Sequence, residues 1–389
     1  MFKKEDYNPL MFLASLWAGG MSIVFFMYLM FMTKHKENPI PTFDTLFPIF
    51  NSVETSIYLK WLIIFSVIWI IYFAFKHIQL VIWNLTRYFG FTKTKAYKKL
   101  KKWNGEVTLM ALPLTLAMTV NVFFVLWAVF IPNLWSVVEY LFPVALISFA
   151  AIWYLSLSIF GEYFVRLITQ KWNADFVENN NLAQLLSVFA FVMVWVGFAA
   201  SAAMSQNEIT AFLGLVGSIF FMTLAFGIWT LKLIVWFKAI LKHWLDEAAS
   251  PSLWIMIPIL TLIGITFIRD MHWLHHFGWE MTSASLIIIT TIIISLQAVF
   301  GFIGYKVMKK NKYFKNYIHW KEKSPGTYAL ICPWVALVVF GFFFLHLGLV
   351  NSGIVPKFEI TYFILLAPIV YLQFKTIFVM LKLNKKFGL

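Results

Sequence analysis

An all-α integral membrane protein with ten transmembrane helices is the fold class this sequence predicts, on three observations. Hydrophobic residues make up 61% of the 389 and charged residues only 12%, about half of the roughly 25% found in soluble chains. Mean hydropathy is +0.80. The apolar residues also gather into ten runs of roughly 20, the length that crosses a bilayer as a helix. In lipid, backbone polar groups must be satisfied within the segment, so the runs are read as helices.

In chain order the expected spans are 9–33, 57–82, 106–130, 136–160, 184–204, 210–236, 252–268, 281–305, 327–350 and 358–381. They group into five helical hairpins, 9–82, 106–160, 184–236, 252–305 and 327–381, within one transmembrane domain over 1–389. The opening "MFKKEDYNPL" places acidic residues behind its lysines, before an apolar run too long for a signal peptide. The first span is therefore expected to be retained. The link after it, "KHKENPIPTFDTLFPIFNSVETS", holds Pro39, Pro41 and Pro48 and is expected to pack over the outer mouth. Other links within hairpins are as short as "IPNLW" and "SQNEI". The shortest span, "SLWIMIPILTLIGITFI", still reaches about 25 Å at 1.5 Å per residue.

Basic residues alternate sharply between the two sides. The N-terminus, the loops after the second, fourth, sixth and eighth spans, and the C-terminus carry 23 Lys and Arg; the opposite side carries five. Both termini are thus expected to be cytoplasmic, and the location the inner (plasma) membrane, crossed many times. The formal charge of +14 is read as this topology signal rather than as a nucleic-acid footprint, so the bilayer is an expected partner and nucleic acid is not. Cys332 is the only cysteine, which excludes an intrachain disulfide and a thiolate metal cluster.

Odd- and even-numbered spans differ in character. The odd ones contain "SLWAGGMS", "LMALPLTLAMTVN", "GFAASAAM", "IPILTLIG" and "CPWVALVVFGFFF", and Pro113, Pro258 and Pro333 each lie near the cytoplasmic start of one of them. Proline there bends a helix and frees a carbonyl, and small residues let backbones approach or line a polar path. The even spans are mostly Ile, Leu, Val, Phe and Trp, with Pro143 and Pro368 as exceptions. The pattern predicts a quasi-five-fold bundle with the odd helices inner and a narrow apolar passage at the centre. Glycine and proline serving packing alone is the plainer alternative. Carboxylates are scarce deep in the spans, Glu106, Glu139, Glu162 and Glu280 all lying near ends. Proton- and sodium-driven carriers use such groups, whereas an anion pore avoids them.

"RDMHWLHHFGWE" sets His272, His275 and His276 in an H-x-x-H-H spacing that occurs in di-iron membrane enzymes. Such a site needs about eight histidines, and His35, His77, His243, His319 and His346 are scattered over both sides. No metal, cofactor or enzymatic activity is expected. A helical link would set the three histidines on one face at the outer mouth, where Arg269 attracts anions and Asp270 offsets it. The alternative is an interfacial aromatic belt of Trp273 and Trp279.

"SPSLWIMIPILTLIG" (250–264), with Pro251 and Pro258, and "SPGTYALICPWVAL" (324–337) resemble the seventh and ninth helices of the tellurite-resistance/dicarboxylate transporter family, which includes the slow anion channels of plant guard cells. The ten-span layout agrees over essentially the whole chain. The resemblance implies a commonly trimeric homo-oligomer with a pore lined by odd helices, moving small anions such as sulfite, dicarboxylate, tellurite, nitrate or chloride. It also implies a phenylalanine gate just before the proline of the ninth helix. Here Ile331 and Cys332 precede Pro333, so Cys332 takes the gate position. Another aromatic then fills the pore, with Phe123, Phe124, Phe191 and Phe198 as candidates, or the pore is wider. The rival reading is a membrane protein without transport activity, an assembly factor or sensor.

Overall fold

A computed structural model describes residues 4–35, 38–102, 104–169, 182–242, 245, 247–274, 278–279, 281–319 and 322–389. All regular structure among them is helical. The α-helices are α1 (Phe12–Met32), α2 (Phe43–Asn51), α3 (Ile57–Phe91), α4 (Lys95–Leu100), α5 (Ala111–Phe130), α6 (Leu134–Thr169), α7 (Leu186–Met204), α8 (Glu208–Lys242), α9 (Met256–Trp273), α10 (Ser283–Lys310), α11 (Ile331–Phe343) and α12 (Ile360–Phe387). With their flanking turns, all but α2 and α4 are long and apolar enough to cross a membrane, which makes ten candidate spans among the described residues.

The ten fall into two classes. The odd-numbered spans contain α1, α5, α7, α9 and α11, and 61% to 89% of their apolar stretches is buried within the protein; for α3, α6, α8, α10 and α12 the range is 17% to 28%. Each buried helix packs against the long helix that follows it. The buried helices also contact one another in order: α1 on α5, α5 on α7, α7 on α9, α9 on α11, and α11 back on α1.

Each buried helix opens with a 3₁₀ segment: Pro9–Met11, Asn104–Met110, Leu182–Leu185, Glu247–Ile255 and Pro325–Leu330. Pro113, Pro258 and Pro333 are each the third residue of the α-helix that follows. Proline has no N–H and its ring excludes the carbonyl four residues back. A preceding turn of the tighter i→i+3 type tolerates it. Where the sequence predicts a bend, the structure shows a change of helix type just before the proline, at the same position in α5, α9 and α11.

Two sets of boundaries correct the sequence reading. First, α3, α6, α8, α10 and α12 all continue past their expected ends, to Phe91, Thr169, Lys242, Lys310 and Phe387. The 35 residues of α3 span about 52 Å, against roughly 30 Å of hydrocarbon, because the helix continues through the less apolar stretch "WNLTRYFGF". Hydropathy registers only the apolar part. Second, α9 continues to Trp273, so Arg269, Asp270 and His272 are helical rather than part of a link. The helix persists there because both charged groups find partners in the protein, as described below.

The first link folds as α2, closed at its N-terminus by a capping box between Thr42 and Thr45. Asp44 accepts the backbone N–H of Asn133 through both carboxylate oxygens, at 3.1 and 2.9 Å. This ties α2 to the turn between α5 and α6.

Candidate functional site

The small residues of "WAGGM" decide how closely α1 is approached. A methyl group on Gly19 would stand 2.6 Å from Met118 and 2.8 Å from the His77 ring; one on Gly20 would stand 2.9 Å from Val335. Two adjacent glycines therefore let α3, α5 and α11 close around α1. Next to this contact lies a cavity of about 200 Å³. All five buried helices reach it, through Trp17 of α1, Phe124 of α5, Phe189 of α7, Arg269 of α9 and Cys332 of α11. Phe142 and Phe149 of α6 close one side, and Ile40 from the link before α2 contributes another wall. Along α9 the lining runs from Pro258 to Arg269, a rise of about 16 Å.

The wall is almost wholly apolar. Arg269 is the one charged side chain in it among the described residues. Its Nη1 donates to the Val196 carbonyl at 3.0 Å, which fixes the guanidinium to α7 and leaves its other donors unassigned. Asp270 turns elsewhere: its carboxylate accepts from Trp195 Nε1 at 3.2 Å and from Ser218 Oγ at 2.7 and 2.8 Å. The acidic neighbour is thus spent on locking α9 to α7 and α8. Trp17 is 3% exposed and stacks on Phe189 with ring centroids 6.5 Å apart. Its indole N–H has no hydrogen-bond partner among the described residues. A buried donor left unpaired costs about 1–3 kcal/mol.

The sequence candidates separate on this frame. Cys332, Pro258, Phe124 and Arg269 meet at the cavity, whereas Pro113 and Pro333 do not line it. Phe198 also lies off it, packed over Gly217 and stacked on Phe221 of α8 at 5.4 Å. Phe191 turns edge-on to Phe160 of α6, and Phe123 is exposed. His272 is exposed on the last turn of α9, and His275 and His276 lie outside the described residues.

Several groups escaped sequence reasoning. Trp17 and Phe189 gave no signal, because aromatic residues are 20% of the chain. His77 is fully buried: Nδ1 donates to the Ser15 carbonyl at 2.7 Å and Nε2 faces Thr119 Oγ1 at 2.9 Å. His346 likewise engages the Phe342 carbonyl at 3.0 Å and the Tyr362 hydroxyl at 2.9 Å. His77 links α3 to α1 and α5 with both ring nitrogens, whereas His346 bonds its own helix through Nδ1 and reaches α12 only through Nε2. Lys232 donates to the Gln184 carbonyl at 2.7 Å and Ser187 Oγ at 3.1 Å, between the faces of Phe160 and Tyr163, each 5.6 Å away. Glu106 is buried but receives Arg166 through both carboxylate oxygens. Among the described residues no three His, Cys, Asp or Glu side chains converge on a metal-sized site. No family model, curated protein or solved structure matches this chain.

Proposed function

We propose that this multi-span membrane protein is an anion channel or transporter, with α1, α5, α7, α9 and α11 forming an inner ring around the cavity. The cargo is a small inorganic or organic anion: sulfite, dicarboxylate, tellurite, nitrate or a halide. Both termini lie on the cytoplasmic side of the inner membrane, where the basic loops gather. A homotrimer follows from the resemblance to the tellurite-resistance/dicarboxylate transporter family. The single observation that carries the reading is the cavity itself, reached by all five buried helices and carrying a lone guanidinium with no carboxylate in its wall. A cation in an apolar constriction attracts anions and repels cations. The aromatic groups Trp17, Phe189 and Phe124 narrow the passage in place of the missing gate phenylalanine, and the unpaired Trp17 N–H offers an anion a second donor.

Flux into liposomes tests this directly. Nitrate, chloride, sulfite and a dicarboxylate are offered to the reconstituted protein, and at least one is expected to cross well above protein-free vesicles. Arg269→Gln should lower that flux by about tenfold or more, the worth of one charge-assisted contact. Background flux for every anion would leave a protein without transport activity, and undiminished flux in Arg269→Gln would remove Arg269 from the path.

A further inference from the structure

A second cavity of about 360 Å³ lies apart from the first, at the basic end of the bundle, between the starts of α9 and α11 and the ends of α10 and α12. Its deep wall is aromatic, formed by Trp254, Phe314 and Trp334. Its polar part is basic: Lys375, Lys382 and His319 line it, and no carboxylate does. Lys375 holds its ammonium 5.1 Å from the Trp334 ring and 5.7 Å from the Tyr371 ring. Lys382 donates to His319 Nδ1 at 3.0 Å. Among the described residues neither lysine has a carboxylate within ion-pair distance, the ion pairs being Lys101–Glu162 and Arg166–Glu106. Two uncompensated ammonium groups above an apolar, aromatic-lined space suit a ligand with an anionic head and a hydrocarbon body.

The place of the opening selects the source of that ligand. Tyr305 of α10 and Phe378 of α12 line the cavity and are 45% and 66% exposed on the outer surface. Both belong to the exposed helix class, so the opening faces the surroundings of the bundle rather than its centre. A molecule diffusing in the bilayer enters there sideways, and basic pockets between membrane helices hold anionic headgroups. We propose that this cavity is a binding site for an anionic phospholipid, its phosphate on Lys375 and Lys382 and an acyl chain against Trp254 and Trp334. α11 separates the two cavities: Ile331 and Trp334 face this one, while Cys332 and Val335 face the central one.

The full chain, purified in detergent, is offered equal amounts of phosphatidylglycerol and phosphatidylcholine with the same acyl chains, and retained lipid is read by native mass spectrometry. Phosphatidylglycerol is expected to be retained preferentially. The double variant Lys375→Gln with Lys382→Gln should lower its retention about tenfold. Lys306→Gln, an exposed lysine of α10 outside the cavity, should not change it. Lys375→Arg with Lys382→Arg keeps the charge and should keep the lipid, which separates loss of charge from loss of fold. The proposal is overturned by equal retention of the two lipids, by wild-type retention in the double Gln variant, or by an equal loss in Lys306→Gln. Complete displacement by millimolar inorganic phosphate would also overturn it, by identifying a free-anion site that makes no use of the acyl chain.

Discussion

The hairpin of α7 and α8 pairs two helices whose apolar stretches have the same mean hydropathy, 2.1, with opposite surroundings: 89% of that stretch is buried in α7, against 28% in α8. Lipid tails are as apolar as leucine, so hydrophobicity does not sort helices between protein and bilayer; packing does. Between α7 and α8 the packing reaches the backbone. A methyl group on Gly214 of α8 would stand 2.7 Å from the Ala202 nitrogen and 2.9 Å from the Phe198 carbonyl oxygen. On its other side α7 gives Phe189, Met193 and Val196 to the central cavity. One helix thus has a face with no spare space and a face on a void, and substitutions on the two should behave differently.

The largest effect is expected where backbones meet. Gly214→Val should destabilise the protein by about 3 kcal/mol or prevent folding, while Val216→Ala, two residues along at 48% exposure, should change stability by less than about 0.5 kcal/mol. Thermal unfolding in detergent compares them, and equal effects would break the contrast between close-packed and lipid-facing surfaces. Asp270→Ala comes next. It leaves the Trp195 N–H and the Ser218 hydroxyl without their acceptor, a loss of about 1–3 kcal/mol in the same assay.

Adjacent residues of α11 sharpen the cavity side of the contrast. Cys332→Phe places a ring in the central cavity and should cut anion flux about fivefold or more, with 1.4 kcal/mol for each tenfold as the scale. Ile331→Phe points the same ring into the peripheral cavity and should leave flux within about twofold. If both variants conduct alike, the central cavity is not the path. The smallest effect is expected at the surface. Lys101→Met removes a partly exposed ion pair with Glu162 at 2.7 Å, which contributes less than about 0.5 kcal/mol. The hydrogen bond to Glu162 holds the Lys101 ammonium above the ordinary lysine range. That small contribution is complete at neutral pH, fades as the pH rises through the raised value, and is also lost in acid once Glu162 is protonated. A pH series on wild type and variant should therefore diverge near neutrality and converge in strong base.

Ten helices long enough to cross a membrane were legible in the sequence because each requires its own unbroken apolar run, a local property. The three prolines were legible as a repeated feature, since Pro113, Pro258 and Pro333 recur at one position of their helices. Extents were less legible. Past residue 82 α3 reads "WNLTRYFGF", which no longer forms an apolar run, and there it packs on Tyr7 through Trp83 and Phe91. Arg269 and Asp270 looked like opposed charges at a mouth, each offsetting the other. Only the fold gives Asp270 to Trp195 and Ser218 and leaves Arg269 to the cavity, because those partners lie 52 to 75 residues away in the chain. Phe124 and Phe198 were equal candidates to replace the missing gate phenylalanine; neighbours from other helices place one on the void and the other on Gly217.

By itself the sequence determined membership of the membrane class, the ten helices long and apolar enough to span it among the described residues, and the shared position of three prolines in their helices, because each depends on residues close together in the chain. The tertiary structure decided which aromatic residues meet a void, which lysines are left without a carboxylate, and which charge of an adjacent pair faces the centre. Those outcomes depend on helix rotation and on contacts between distant residues, and in an apolar solvent the hydrophobic pattern that fixes rotation in a water-soluble bundle carries almost no information.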